Sequence, residues 1–375
     1  MDYGKTRAWL EVDLDVLRSN YQKIKSRLAP ETSFMTVVKA DAYGLGAVKV
    51  AQTLERCGCP QFGTAYFQEA MELRENGVKA PILVLGPIPL EYVALASKEN
   101  IMAGISTPEM AAIYDAAAAQ AGVTLSIQIA SDVGMSRFGI WLEGRVNEAV
   151  SDALAIFSMP HLSVCGLYTH MTVMSHPYER EFDYHQLDLF RAFTDGVYAA
   201  GYHVPRHCAC SAMTLLYPES HMDMIRVSAL PFGLQNPLYQ DFTTDEVIAL
   251  KTKVVFLKDV PLGTTVGYGP HYTKRQTRLA VIPIGFGDGL HRTISDRAPV
   301  LIGGQRAKVF GKLCMDYTMV DVTGLPVRLG DEVTLFGEDH GQRISIFEYA
   351  SLYGGTACEV ACSLGKRINR VYLHE

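Results

Sequence analysis

The feature that most constrains this chain is an alternation of short β-rich runs with segments of helical period, sustained over about its first 240 residues. The strand-like runs are residues 9–12, 34–38, 62–66, 81–85, 101–105, 124–130, 162–168 and the neighbourhood of 206–210. Between them, Asp13 or Asp15 caps a helix with Leu17, Tyr21, Ile24 and Leu28 on one face. A second helix runs from Gly46 through Val50, Ala51 and Leu54 to a stop at Gly58, and residues 116–119 are helical by propensity. Strands and helices alternating at this pace read as βα units on a parallel sheet. About eight such units in some 240 residues fit a closed (β/α)8 TIM-like barrel better than an open sheet, so the fold class is α/β. The character changes near residues 241–246. Beyond them, residues 249–257, 279–284, 300–302, 308–310, 317–322, 332–336 and 344–347 form β-rich runs broken at short intervals by Gly, Pro, Asp and Asn. These predict a C-terminal all-β domain, with domains expected at 1–243 and 244–375.

Composition narrows the function classes. Of 375 residues, 48% are apolar and 20% charged, which excludes a disordered or coiled-coil chain. A net charge of −6 leaves no basic field for nucleic acid. The opening residues carry no apolar leader core. Residues 153–178 lack Asp, Glu, Lys and Arg, but Pro160, His161, His170, His176 and Pro177 interrupt them. That stretch reads as buried strand and loop, so no membrane partner is expected. The eight cysteines form no C-x-x-C and no zinc pattern, so no metal is expected. They read as reduced, mostly buried thiols of a cytoplasmic protein.

The densest motif is Val-Val-Lys-Ala-Asp-Ala-Tyr-Gly-Leu-Gly, residues 37–46. Lys39 closes an apolar strand, and a lysine at the C-terminal end of a barrel strand points into the mouth where such barrels keep their active sites. Apolar surroundings would lower its pKa, which suits a Schiff-base lysine. A lysine that merely ends a strand and reaches solvent is an equal reading. The Gly44–Gly46 turn leads into a helix whose N–H groups could face an anion. Arg137, in Asp132-Val-Gly-Met-Ser-Arg137-Phe-Gly139, could bind an anion or a ring hydroxyl, or sit in a surface pair. His170 follows Leu-Tyr-Thr and Arg226 follows Met-Asp-Met-Ile, again at strand ends. Each is weak alone, but four polar residues at the ends of different strands is the arrangement of a barrel active site. In the β-domain, Tyr268 lies between two glycines on an exposed turn, and residues 285–289 form a Gly-rich loop without the strand-to-helix context of a dinucleotide site.

Taken in order, these segments resemble the alanine racemase family, pyridoxal-phosphate enzymes with a barrel and a β-domain. The Val-Lys-Ala-Asp-Ala-Tyr-Gly and Gly311-Lys-Leu-Cys-Met-Asp316 segments carry the resemblance, which extends from Ala8 to Tyr372. It implies a homodimeric amino-acid racemase with shared active sites and pyridoxal 5'-phosphate as cofactor. Lys39 would carry the cofactor and move a proton on one face of the substrate. Tyr268, donated across the dimer by the β-domain, would serve the other face. Tyr43 and Ser211 would hold the phosphate, with Ser228 nearby. His170 would lie against the pyridine ring, Arg137 near its phenolic oxygen, and Arg226 on the ring nitrogen. His207 and Arg292 would tune Tyr268. The Met315 N–H would meet the substrate carboxylate, with Asp316 and Cys358 in support.

Several positions depart from the family pattern. Ala130 replaces a carbamylated lysine that supports Arg137 in many relatives. Cys210 replaces an asparagine, Val227-Ser228 a Pro-Gly, Leu45 a histidine, Phe286 an entrance tyrosine, and Cys358 a tyrosine that touches phosphate and narrows the pocket. None removes a proton carrier, so the departures bear on substrate more than on reaction. Alanine is the default substrate, with serine or a broader set as the alternative. A non-catalytic pyridoxal-phosphate carrier would resemble the barrel alone. A decarboxylase of related architecture fits the compact second domain and the Val-Gly-Tyr-Gly segment less well. A degenerate, inactive racemase is a further reading.

Overall fold

The computed structural model describes residues 5, 7–172, 180–235 and 242–375. Part of the uncharged stretch 153–178 and Asp241 at the expected domain change therefore lie outside the described residues. The chain forms two compact units, one of Tyr21–Ala42 with Ala47–Pro231, the other of Met1–Asn20, Tyr43–Gly46 and Phe232–Glu375.

With β1 (Ala8–Asp13) belonging to the second unit, the first is built on β2 (Ser33–Val37), β3 (Gln61–Thr64), β4 (Ile82–Val84), β5 (Ile101–Ile105), β6 (Leu125–Asp132), β7 (Ile140–Trp141), β8 (Leu162–Thr169), β9 (Arg206–His207) and β10 (Met224–Val227). The order is β10-β2-β3-β4-β5-β6-β8-β9, every pair parallel, with the two-residue β7 beside β6. The Asp223 N–H donates to the Arg206 carbonyl (3.3 Å) and the Arg226 N–H to the Ala209 carbonyl (2.8 Å), which nearly closes the ring. The predicted eight-strand barrel is thus present. Its interior holds a sulfur-rich cluster of Met35, Leu83, Met102, Ala130, Tyr168 and Met224.

Local chemistry sets the helices. Thr107 accepts the Met110 N–H at 3.1 Å, Pro108 opens the helix Pro108–Ala121, and Gly122 at φ +66° ends it. Of the two candidate caps, Asp13 does the work for Leu14–Lys25, accepting the Asp15 and Val16 N–H groups at 2.9 and 3.1 Å. Leu17, Tyr21 and Ile24 are buried as the period predicts, whereas Leu28 lies past the helix end.

The second unit is a sheet of β11 (Ile248–Lys253), β12 (Phe256–Val260), β13 (Thr277–Ile282), β14 (Pro299–Ile302), β15 (Gln305–Val309), β16 (Thr318–Asp321), β17 (Glu332–Asp339), β18 (Gln342–Ile344) and β19 (Asn369–Leu373), joined by β1. The order is β12-β13-β16-β15-β14-β17-β11-β1-β19, with β18 paired to β17. All its pairs are antiparallel except β1–β19. Residues 9–12 therefore do not open the barrel; β10 takes that eighth place. Trp9, Leu10 and Val12 are fully buried, and such a run carries no sign of which sheet it joins. Residues 344–347 also differ from a strand reading. Ser345 accepts the Phe347 N–H at 3.1 Å and starts the helix Ile346–Tyr353, and Thr356 caps a second short helix, Ala357–Ser363. Among the described residues, no helix is long and apolar enough to cross a membrane.

Candidate active site

Strand β2 delivers Lys39. Phe34 to Val38 are buried and Lys39 is half-buried at the C-terminal end, where the sequence placed it. The chain then makes one turn, Lys39–Gly44, in an unexpected hand. Ala40, Asp41, Ala42 and Tyr43 have φ of +51°, +56°, +51° and +58°, followed by Gly44 at +83°. Left-handed helix costs an L-residue about 1–2 kcal/mol, so four such residues require about 4–8 kcal/mol of compensation. Within the first unit, the Ala40 N–H donates to Glu69 Oε1 (2.7 Å), the Ala42 N–H to the Val38 carbonyl (2.9 Å) and the Ala47 N–H to Asp41 Oδ1 (2.7 Å). That last bond caps the helix Ala47–Arg56, so its first N–H serves the turn rather than an external anion. Within the second unit, Arg370 Nε donates to the Gly44 carbonyl at 2.9 Å, and a Cβ on Gly44 would sit 2.5 Å from the Ala361 carbonyl oxygen.

Buried Arg226 organises the barrel centre. Its Nη1 donates to His207 Nδ1 (2.7 Å), and its Nη2 donates to the Thr169 carbonyl (2.8 Å) and to His170 Nδ1 (3.2 Å). Arginine only donates, so both imidazoles present a lone pair at Nδ1 and carry their proton on Nε2. His207 Nε2 then donates to Gln128 Oε1 at 2.7 Å. Burial, reinforced by Arg226, holds the His207 pKa well below its ordinary value. Burial first, then Arg226, Arg137 and Lys39, push His170 down to about 3. Both are neutral at pH 7. The Tyr168 ring stacks on His207 at 5.3 Å, and burial raises its phenol to about 12. Among the described residues Arg226 makes no ion pair with a carboxylate, and burial acts on it most strongly. Lys39, Arg137 and Arg226 thus share an electropositive barrel end with two neutral histidines.

Arg137 sits on a loop shaped by one buried carboxylate. Asp132 accepts the N–H groups of Gly134 (2.8 Å), Ser136 (3.2 Å) and Arg137 (3.1 Å). Among the described residues, the Arg137 guanidinium has no ion-pair partner. Ala130, one strand residue from Ser131, is buried in the apolar cluster opposite Tyr168 and offers no polar group. Ser211 opens the helix Ser211–Leu216, and its Oγ accepts the Ser228 N–H at 3.1 Å and the Leu230 N–H at 3.4 Å. The barrel unit therefore gathers Lys39, Arg137, His170, His207 and Arg226 electrostatically, and Ser211 with Ser228 by a hydrogen bond.

The remaining candidates lie in the second unit. Tyr268 stands 61% exposed between Gly267 and Gly269, both at positive φ, as its sequence predicted. Met315 and Tyr317 are also exposed. The loop at 285–289 has a structural explanation. A Cβ on Gly285 would lie 2.5 Å from the Met315 carbonyl oxygen, and the Gly287 N–H donates to that oxygen at 2.9 Å. Fully buried Asp288 accepts both Arg7 Nη groups (3.0 and 2.7 Å) and meets Arg367 Nε at 3.2 Å, while Arg367 Nη2 donates to Asp316 at 2.7 Å. The glycines thus lock the Met315 segment in place. Arg292 is exposed with its guanidinium over the Phe286 ring at 5.6 Å, Tyr43 meets Phe232 ring to ring at 5.9 Å, and Cys358 is half-buried in the helix Ala357–Ser363. Sequence reasoning missed Gln128, Glu69, Thr169 and Asp288, which act on site residues from neighbouring elements. Of these, Asp288 carried a local turn signal, directly before Gly289.

Known proteins share this fold and sequence. The family model "Alanine racemase, N-terminal domain" matches residues 12–236, and "Alanine racemase, C-terminal domain" matches 247–372. An alanine racemase of Desulfovibrio desulfuricans is 38% identical over 97% of this chain and 98% of its own. One from Halothermothrix orenii is 34% identical over 97% and 96%. Among solved structures, alanine racemase from Clostridium difficile 630 superposes with a TM-score of 0.91 at 30% identity, covering 98% of this chain and 96% of that one. Two domain matches spanning nearly the whole sequence, and relatives of equal length on the same fold, place this chain in the alanine racemase family.

Proposed function

We propose that this chain is a pyridoxal-phosphate-dependent racemase that interconverts L- and D-alanine with two bases, Lys39 and Tyr268 of the partner subunit. The observation that carries the reading is the buried Arg226 guanidinium, held by two neutral imidazoles and a carbonyl and, among the described residues, paired with no carboxylate, at the barrel end that presents Lys39. A primary amine beside a cationic cluster fits an aldehyde that bears a phosphate and a substrate that bears a carboxylate. Lys39 would hold the cofactor covalently, with Arg137, His170 and Arg226 around its ring and Tyr43, Ser211 and Ser228 around its phosphate. When bound, pyridoxal phosphate supplies the electron sink that makes an amino acid's α-hydrogen acidic.

The chain's own groups do the rest. Racemisation removes the α-proton from one face and returns one to the other, so two bases on opposite faces suffice. Lys39 Nζ would accept the proton in its neutral form, which cationic surroundings favour in general. Tyr268 of the partner subunit would serve the other face, with His207 and Arg292 in support. Arg226 would stay cationic and donate a hydrogen bond without yielding a proton, which would weaken the sink and limit side reactions such as transamination. The Met315 N–H would take the substrate carboxylate, with Asp316 supporting that segment through Arg367.

The same reading takes the active unit as a cytoplasmic homodimer, with a cofactor-binding domain at 1–243 that contains the barrel, and a β-domain at 244–375 that supplies Tyr268 and dimer contacts. Cys358 favours serine as a second substrate, since a thiol in place of a tyrosine ring leaves room for a hydroxyl. Two measurements test the function. Borohydride reduction and peptide mapping should place the cofactor on Lys39, and label on another lysine would overturn the assignment. A panel of L-amino acids assayed with chiral detection should show alanine racemised; turnover of serine alone, or of nothing, would reject the alanine reading.

A further inference from the structure

We infer that Glu69 is a positioning residue for Lys39, acting through the left-handed turn that follows it. The inference rests on the reading of Lys39 as the cofactor-bearing lysine. Four consecutive non-glycine residues, Ala40 to Tyr43, hold positive φ immediately after Lys39. Alanine, aspartate and tyrosine have no intrinsic preference for that hand, so something outside the segment must impose it. The first N–H of the turn, that of Ala40, goes to Glu69 Oε1 at 2.7 Å. The other carboxylate oxygen accepts the Ala65 N–H (2.8 Å) and the Tyr66 N–H (3.1 Å). Those two residues follow β3, the parallel neighbour of β2, and Tyr66 opens the helix Phe67–Glu75 in which Glu69 sits. One half-buried carboxylate therefore fastens the peptide after Lys39 to the end of the adjacent barrel strand. Hydrogen bonds to a carboxylate are short and strong, so the clasp is well suited to holding a conformation the sequence would not choose. Without it, the turn relaxes toward the right-handed basin and the direction in which the chain leaves Lys39 changes.

A cap of the helix Phe67–Glu75 alone would explain the Tyr66 bond but not the one to Ala40. Glycine separates the two roles, because it adopts positive φ without steric cost. Ala40 is exposed, so Ala40→Gly opens no cavity. The test compares wild type, Glu69→Ala, Glu69→Gln and the double variant Glu69→Ala/Ala40→Gly. Two readouts are taken: amide hydrogen exchange of the 40–44 segment in cofactor-free protein, and the rate at which pyridoxal phosphate is captured on Lys39, followed by borohydride trapping and mapping. Glu69→Ala should speed exchange and slow capture by at least tenfold. Glu69→Gln, which keeps one acceptor oxygen, should fall between, and serves as the comparison if Glu69→Ala does not fold. Adding Ala40→Gly should recover at least threefold in capture. Exchange and capture within twofold of wild type in both Glu69 variants would overturn the inference, as would a capture defect that Ala40→Gly leaves unchanged. If wild type is trapped on a lysine other than Lys39, the functional reading falls, while the exchange measurement still decides whether Glu69 holds the turn.

Discussion

Replacing Gln128 by leucine should expose how far the Arg226 network depends on one proton's position. His207 is fully buried between a donor, Arg226 Nη1 at 2.7 Å, and an acceptor, Gln128 Oε1 at 2.7 Å. Leucine has nearly the volume of glutamine, so packing changes little, but the His207 Nε2–H loses its acceptor. The ring cannot escape by moving its proton, since an Nδ1–H would face the Arg226 N–H, and arginine cannot accept. Orphaning a buried neutral donor costs about 1–3 kcal/mol. Part is recovered because leucine also removes the Gln128 amide NH2, which among the described residues meets only the Met102 sulfur at 3.7 Å. The net expectation is a loss of about 1–2 kcal/mol. Denaturant unfolding of cofactor-free wild type and Gln128→Leu at pH 8 measures it, and 15N NMR of labelled histidine reports which ring nitrogen of His207 holds the proton. A loss under about 0.5 kcal/mol, or a protonated Nδ1 in wild type, would refute the reasoning.

Three further outcomes follow from the same geometry. The stability of cofactor-free protein should fall as pH drops from 7.5 to 5.5, because the folded pKa of His170 (about 3) and of His207 lie below the unfolded value of about 6.5. The unfolded chain takes up protons there that the folded chain refuses, so stability held above about pH 6.5 is lost progressively below it, by about 2–3 kcal/mol over that interval; flat denaturation midpoints would contradict it. Tyr168→Phe should leave stability unchanged or raise it by up to about 1 kcal/mol, since the buried hydroxyl has no partner among the described residues; a loss larger than that in thermal or denaturant unfolding would reveal an unseen partner. Lys39→Ala and Tyr268→Phe chains, each poorly active, should regain activity when reassembled as mixed dimers, and verified heterodimers without activity would reject shared sites.

Much of the barrel was legible because its physics is local. Alternating period, capping residues such as Asp13 and Thr107, and the strand-end positions of Lys39, His170 and Arg226 are all written in short stretches of sequence. The rest was hidden for identifiable reasons. Residues 9–12 are apolar on every side, so nothing local distinguishes a barrel strand from one that pairs with β11 and β19. The segment after Lys39 reads as helix by composition, and its hand is imposed by Glu69, 30 positions away. The loop at 285–289 resembles an anion loop in composition, yet its glycines answer to the backbone of Cys314 and Met315 and its aspartate to Arg7 and Arg367. Gln128 matters only because β6 places it beside His207, which no spacing in the sequence encodes.

The place of β1 between β11 and β19 has a consequence for biosynthesis. Its partners are β11 and β19, so residues 8–13 leave the ribosome long before either neighbour exists. At 5–20 residues per second, translating from β1 to the end of β19 takes roughly 20–70 s. Through that interval a strand containing Trp9, Leu10 and Val12 has two unpaired edges, while every barrel strand from β2 to β10 emerges before β11. The barrel can form as a loop closed later by its own flanks, and the early strand is the segment most open to holdase chaperones or to pairing with another nascent copy. Chains truncated before β19 would keep that edge exposed, so loss of residues 369–373 should cost far more solubility than their half-buried position in the finished fold implies.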